Sequence, residues 1–217
     1  MSVAITEAIT TLAEAEQRFQ LTRTEDETFF WEWSTDLASL SDTEKAGLAD
    51  LRRRYLYQRW SKTRPWGRTQ GHLLESTVLL LFASPLLTLA GFYDPPFRVK
   101  AEESVQLTLQ DPEEILQGRL DVLVLKDQLW VVVLESKKTA ISVWSALPQT
   151  LAYLMATPNH EQPRFALMTN GDNSVFVKLE TNQGGRYNLS RVFAALTSYQ
   201  ELEGVLQILK YLGQAIQ

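Results

Sequence analysis

The chain has 217 residues, of which 45% are hydrophobic, and its formal net charge is −5 at neutral pH. This length allows one substantial core or two small ones, and the absence of cysteine excludes disulfides and thiolate metal sites. The longest apolar stretch, from Val78 to Ala90, is interrupted by Pro85 and is too short to span a bilayer. We therefore expect a soluble, cytoplasmic protein with no membrane partner.

Helical patterns dominate the first part of the chain. Apolar residues recur at helical spacing over residues 3–20, which predicts an amphipathic helix there. Ser41 followed by Glu44 forms a capping-box pattern, which opens a helix that reaches about Tyr57. Residues 1–65 are therefore predicted to be a helical addition that precedes the core.

An aromatic cluster lies between these helices. It comprises Phe29, Phe30, Trp31 and Trp33. Two interpretations stay open, because the cluster can pack in the core or against a partner.

The stretch from Leu51 to Leu74 contains no acidic residue. Its basic residues are Arg52, Arg53, Arg54, Arg59, Lys62, Arg64 and Arg68, and they are interleaved with Tyr55, Tyr57, Trp60 and Trp66. Basic and aromatic side chains together suit phosphate contacts and base stacking. The alternative is a solvated helical face whose charges pair with acids elsewhere.

A break at Pro65-Trp66-Gly67 precedes a helix over about 69–82, and strand patterns follow it. The predicted strands are 97–102, 105–109, 118–125, 129–136, 164–168 and 175–179, with a turn at Asn170-Gly171-Asp172-Asn173 between the last two. One helix ending before Pro158 interrupts them, and Ser198 with Glu201 caps a closing helix over 197–216. This order predicts an α/β (α+β) fold with a central mixed β-sheet flanked by helices, in a single domain over 1–217.

The hairpin over 118–137 carries the chemically suggestive residues. Side chains alternate along a strand, so Glu135 and Lys137 share a face with Val131 and Val133. A turn centred near Asp127 places Asp121 opposite Val133 and diagonal to Glu135, on that same face. Two carboxylates can then converge on one cation with an ammonium beside them. The alternative is an ordinary ion pair between Asp121 and Lys137 with Glu135 solvated.

These residues resemble the signature of the PD-(D/E)xK nucleases. Asp121 follows Gly118-Arg119-Leu120, and Glu135-Ser136-Lys137 ends the next hydrophobic strand, with Leu120 in place of the proline. Gln149 and Tyr153 resemble the QxxxY element of a subset of these enzymes, and Glu75 occupies the place of the acid on the first core helix. The chain is most similar to the amino-terminal nuclease domain of type I restriction motor subunits, although it carries no phosphate loop for a helicase engine.

The resemblance implies a restriction-endonuclease-like core over 66–182 and a set of roles. Asp121 and Glu135, with Glu75 as a third acid, would hold Mg²⁺ or Mn²⁺, and Lys137 would stabilise charge at the phosphorus. Glu75 could instead pair with His72 or Arg68. Gln149 and Tyr153 suit a DNA backbone contact or bracing of the site, or Tyr153 is core.

The function expected from this combination is metal-dependent hydrolysis of DNA by an endonuclease of the restriction or defence type. DNA contacts are expected from Gln149, Tyr153, Arg52, Arg53, Arg54 and Arg68, and other restriction-system subunits are candidate partners, as is a second copy in a dimer. Two alternatives remain, namely an inactive DNA-binding or assembly module of the same fold and an RNA-directed nuclease.

Overall fold

The computed structural model describes residues 2–34, 36–64, 67–108, 115–126, 129–136, 138–157, 160–182, 184–195 and 197–215. For residues 61–64, 67–70 and 129–136 it describes the backbone.

Within the described residues, ten strands and seven α-helices form the fold. The strands are β1 (Ser2–Ala4), β2 (Leu21–Arg23), β3 (Trp60–Arg64), β4 (Gly67–Gln70), β5 (Phe97–Thr108), β6 (Ile115–Lys126), β7 (Leu129–Ser136), β8 (Arg164–Thr169), β9 (Ser174–Glu180) and β10 (Gly185–Leu189). The helices are α1 (Ile5–Ala8), α2 (Leu12–Phe19), α3 (Asp42–Arg59), α4 (Glu75–Val78), α5 (Ser84–Leu89), α6 (Leu147–Met155) and α7 (Tyr199–Ala215). One π-helical segment, Leu79–Ala83, joins α4 to α5.

One mixed sheet organises the molecule. Its order is β1-β6-β7-β8-β9-β10-β2, β5 pairs with β6, and β3 and β4 form a separate hairpin. β7 and β8 run parallel, as do β1 with β6 and β2 with β10, while the remaining pairs are antiparallel. A mixed sheet flanked by helices confirms the predicted α/β (α+β) class.

Each face of the sheet is covered by its own hydrophobic core. On β8, Phe165 and Leu167 join the core beneath α3, α5 and α7, whereas Ala166 and Met168 join the core beneath α1, α2 and α6. This alternation within a wholly buried strand is the pattern of a central strand covered on both faces.

The predicted single helix over 3–20 is wrong in detail. The segment forms β1, α1 and α2, because Thr11 and Glu14 make a capping box that starts a new helix, and Gln20 in the left-handed region ends it. The apolar residues Ile5, Ile9 and Phe19 are nevertheless buried in one core, which is why they follow a helical period.

The helix after the basic stretch is also displaced. Residues 67–70 form β4, and the helix begins at Glu75 and continues beyond the expected end at Phe82 to Leu89. Pro85 does not stop it, since it lies two residues after the π-helical segment Leu79–Ala83, where the regular α-helical hydrogen bonding is already interrupted. By contrast, the capping box of Ser41 and Glu44 starts α3 as predicted. A hydrogen bond from Lys210 of α7 lowers the pKa of Glu44 to about 2.

The sheet differs from prediction at three points. The two short strands expected over 97–109 are one strand, β5, whose continuity survives a positive φ of 55° at Glu102. β10 was not predicted, and β1 and β2 add two further strands from the predicted helical addition. The hairpin turn between β8 and β9 is confirmed, with Thr169 opposite Ser174.

A buried ion pair attaches α3 to that turn. The Arg59 guanidinium donates to both carboxylate oxygens of Asp172, at 2.7 Å from Nη2 to Oδ2 and 3.0 Å from Nε to Oδ1. The Tyr55 hydroxyl donates to Oδ1 at 2.7 Å. Burial and this hydrogen bond raise the pKa of Tyr55, so its hydroxyl stays protonated. Gly171, at φ 83°, leaves room for the Tyr55 ring, since a Cβ there would lie 2.3 Å from its oxygen.

We expect Asp172→Ala to destabilise the protein by about 3–5 kcal/mol, because it leaves the Arg59 charge buried without its carboxylate. Urea unfolding would measure the change, with Asp36→Ala at an exposed position as the control. An equal, small effect in both variants would contradict this assignment of the ion pair.

Candidate functional site

A β-bulge sets the register of the hairpin that carries Asp121. β6 and β7 pair Lys126 with Leu129 and Leu125 with Trp130, but the next pair is Val124 with Val132. Val131 is therefore an extra residue on β7, and two residues on that strand oppose one on β6.

The bulge brings the two acidic positions opposite each other. Beyond it Val122 pairs with Leu134, so the next positions in the register are Asp121 and Glu135. Directly opposite positions belong to the same face, with Cβ atoms about 4.5–5.5 Å apart. Without the bulge Asp121 would oppose Leu134, and Glu135 would lie on the other face. The diagonal placement expected from the sequence is thus replaced by a closer, direct one.

Asp121 lies at a point on β6 where the regular alternation of side chains between the two cores is interrupted. Leu120 and Leu123 both join the core beneath α6, although they are three residues apart. On β5 the facing position is Glu102, the residue in the left-handed region. Asp121 itself is half-buried, which is compatible with access from solvent.

Two hydrogen bonds bring the start of α4 to the end of β7. The Leu73 amide donates to Thr139 Oγ1 at 2.9 Å, and the Thr139 amide donates to the Leu73 carbonyl at 3.2 Å. Glu75, the first residue of α4, follows Leu73 by two residues, and Lys137 precedes Thr139 by two residues. Glu75 is therefore held near the same end of β7 as Glu135. Lys137 lies outside the described residues.

Gln149 and Tyr153 brace the strand that carries Asp121. The Tyr153 hydroxyl donates to the Arg119 carbonyl at 2.9 Å, and Gln149 Nε2 donates to the Tyr153 hydroxyl. Tyr153 is only 1% exposed, so its ring offers almost no surface to a macromolecule, and bracing is favoured over a DNA contact.

The close approach of Tyr153 requires a glycine on β6. A Cβ at Gly118 would lie 2.6 Å from the Tyr153 ring and 2.7 Å from Ile5. Sequence reasoning did not single out Gly118, although a glycine inside a strand pattern signals such an approach. Thr139 was also missed, and nothing in its sequence context could have revealed its link to Leu73.

The predicted phosphate contacts have different environments. Arg53 and Arg54 are exposed and pair with Asp50, just before the acid-free stretch, at 3.2 and 3.5 Å. Arg52 is half-buried and donates to the Ala195 carbonyl at 3.3 Å. Arg68 lies in β4, of which the backbone alone is described. Among the predicted contacts whose side chains are described, Arg53 and Arg54 therefore have the most accessible charge.

Within the side chains that the structure describes, which exclude Glu135 and Lys137, no three acidic or histidine residues are grouped closely enough to share a metal ion. Across the same part of the chain, no helix has the length and apolarity needed to cross a membrane.

Comparison with known proteins gives a weak structural likeness. No protein-family model and no curated protein sequence matches the chain. A solved structure that resembles it is a fragment of a putative HsdR subunit of a type I restriction enzyme from Vibrio vulnificus YJ016, with a TM-score of 0.40 and 18% identity. The match covers 61% of this chain and 26% of that chain. A likeness at this level carries no argument about function.

Tyr153→Phe distinguishes bracing from DNA contact. If the hydroxyl braces β6, its removal deletes the hydrogen bond to the Arg119 carbonyl, and we expect a loss of about 0.5–1.5 kcal/mol in the free energy of unfolding. The salt dependence of DNA binding should not change. Tyr57→Phe, at a highly exposed position, is the control. Unchanged stability with a reduced salt slope would instead assign Tyr153 to a phosphate contact.

Proposed function

We propose that this protein is a Mg²⁺-dependent deoxyribonuclease whose centre is formed by Asp121, Glu135 and Lys137, with Glu75 beside them. The observation that carries the proposal is the bulge at Val131, because it sets a register in which Asp121 and Glu135 are the positions that follow the Val122–Leu134 pair on two neighbouring strands. Like charges at opposed positions destabilise a sheet unless something compensates them. A divalent cation between the two carboxylates is such a compensation.

The donor set fits the metal proposed. Mg²⁺ prefers oxygen ligands, takes one or two carboxylates and keeps several waters. Asp121 and Glu135 would supply two carboxylates, and Glu75 would be a third from α4, whose start is connected to Thr139 by a hydrogen bond. When bound, the ion would lower the pKa of a water molecule and neutralise charge on the phosphoryl group.

The remaining roles belong to the chain itself. Lys137, two residues after Glu135, would stabilise negative charge developing on the scissile phosphate or orient the attacking water. Gln149 and Tyr153 would fix the backbone of β6 through Arg119, two residues before Asp121. In this proposal they are positioning residues, and the bonds through Tyr153 to the Arg119 carbonyl support that role. Restriction-system subunits remain candidate partners in this proposal, and the fold would be of the restriction-endonuclease type.

We expect supercoiled plasmid to be cleaved with Mg²⁺ or Mn²⁺ and not with EDTA. Asp121→Asn and Glu135→Gln should each lower the rate about a hundred-fold or more, since loss of metal-based charge stabilisation is worth several kcal/mol. Asp36→Asn and Glu27→Gln are matched controls, because both are exposed acids away from the site. Thermal melts verify that all four variants fold.

Cleavage at the wild-type rate by either site variant, or in EDTA, would refute the assignment. DNA binding without cleavage in any metal would leave the binding or assembly module as the function. Cleavage of RNA alone in a parallel assay would change the substrate class and keep the site.

A second prediction concerns substrate binding. The double variant Arg53→Gln/Arg54→Gln should reduce the slope of log affinity against log salt by about 0.9 for each phosphate that is no longer neutralised. Arg191→Gln is the control, since Arg191 is also an exposed arginine paired with an acid, Glu201. An unchanged slope would mean that Arg53 and Arg54 belong to a solvated helical face, paired with Asp50.

A further inference from the structure

A small cavity lies at the end of β8 remote from the proposed nuclease centre. It has a volume of about 360 Å³, and its walls include Trp31, Glu32, Phe165 and Tyr211. Phe165 is the second residue of β8, whereas Met168, near the other end, pairs with Glu135. The cavity, called here the aromatic pocket, is therefore separate from the site proposed above, and the inference drawn from it does not depend on the nuclease function.

Two aromatic rings form adjoining walls of the aromatic pocket. The Trp31 and Tyr211 ring centroids are 5.7 Å apart and the ring planes meet at 78°. Trp31 is 46% exposed, although it lies beside the buried Phe30. Organic cations are attracted to the faces of aromatic rings, and rings set at a steep angle can form two walls of a cage around one cation.

A buried carboxylate adds negative charge to the wall. Glu32 is 6% exposed, and its Oε1 accepts a hydrogen bond from Lys178 Nζ at 2.7 Å. Its Oε2 is buried, and the described residues offer it no hydrogen-bond donor. Lys178 also pairs with Glu180 at 3.2 Å, so its charge is divided between two carboxylates. A buried carboxylate oxygen without a donor is costly, and a nearby cation would offset part of that cost.

The same region already holds one cation against aromatic rings. Lys178 Nζ lies 5.2 Å from the Phe29 ring centroid and 5.9 Å from that of Phe165. Phe29, Phe165 and Glu32 thus contact the Lys178 ammonium, and Phe165 and Glu32 also line the aromatic pocket.

We propose that the aromatic pocket binds an alkylated ammonium group. Glu32 Oε2 is out of contact with solvent, so it attracts a guest through charge and not through a hydrogen bond. A cation without N–H donors loses nothing in such a site, and its methyl groups pack on the Trp31 and Tyr211 rings. The group can come from a small molecule such as choline or from a methylated lysine on a partner protein.

Calorimetric titration with choline and with 3,3-dimethylbutan-1-ol tests the charge requirement, since the alcohol has nearly the same shape without the charge. Choline should bind and the alcohol should not bind at the same concentrations. A trimethyllysine peptide and its unmodified counterpart identify the source, because tighter binding of the methylated peptide than of choline indicates a partner protein. Equal binding of choline and the alcohol, or binding of none of the four, overturns the proposal.

Trp31→Leu and Tyr211→Leu should each weaken choline binding about two- to five-fold, whereas Tyr211→Phe should retain it. Tyr93→Leu removes a comparably exposed ring outside the pocket and should have no effect. Glu32→Gln is less informative, since it also disturbs the Lys178 pair, so the ring variants decide the test. If Tyr93→Leu weakens binding as much as Tyr211→Leu, the pocket is not the site.

Discussion

The pairing of β6 with β7 is the constraint on which the candidate site depends. One residue on β7, Val131, has no counterpart on β6. Beyond it, the pairing of the two strands is shifted by one residue. The other contacts of the site hold these two strands in place. Tyr153 holds β6 through the Arg119 carbonyl, while Thr139 ties the chain just after β7 to the entrance of α4. The positions of Asp121, Glu135 and Glu75 are set by two strands and the start of one helix, so they do not depend on precisely placed loops.

Buried charged side chains connect the helices and loops to another pair of strands, the hairpin of β8 and β9. Asp172 at its turn holds Arg59 of α3, and Lys178 in its second strand holds Glu32. At its first residue, Arg164 donates to the Leu154 carbonyl near the end of α6 and to Thr181. Burial lowers the pKa of Arg164 to about 10, which leaves it charged near neutral pH. Removing one partner of a buried ion pair leaves an uncompensated charge, so an arrangement that separates Asp172 from Arg59 or Lys178 from Glu32 is costly.

The sequence was informative where a local interaction decided the structure. Ser41 and Glu44 cap α3 by themselves, and the Asn170–Asn173 turn needs only the conformational preferences of its residues. It was uninformative where distant residues decided it. Residues 21–23 are a strand because β10 lies beside them, and residues 2–4 because β6 does. The site shows the same division: Asp121, Glu135 and Lys137 could be named from their pattern, but the bulge that opposes the two acids could not. Nor could the sequence reveal that Phe29 and Phe30 are core residues while Trp31 stays exposed.

The two strands near the amino terminus also bear on how the chain reaches this structure. Ser2 pairs with Ile115 and Leu21 with Gly185, so both partners are synthesised long after the first 23 residues. Contacts of such sequence separation slow folding, because a long loop must close before they form. On the ribosome, β2 must wait for all the residues between it and β10 to emerge before its partner is available. This edge strand of the sheet is thus made well before it can be placed.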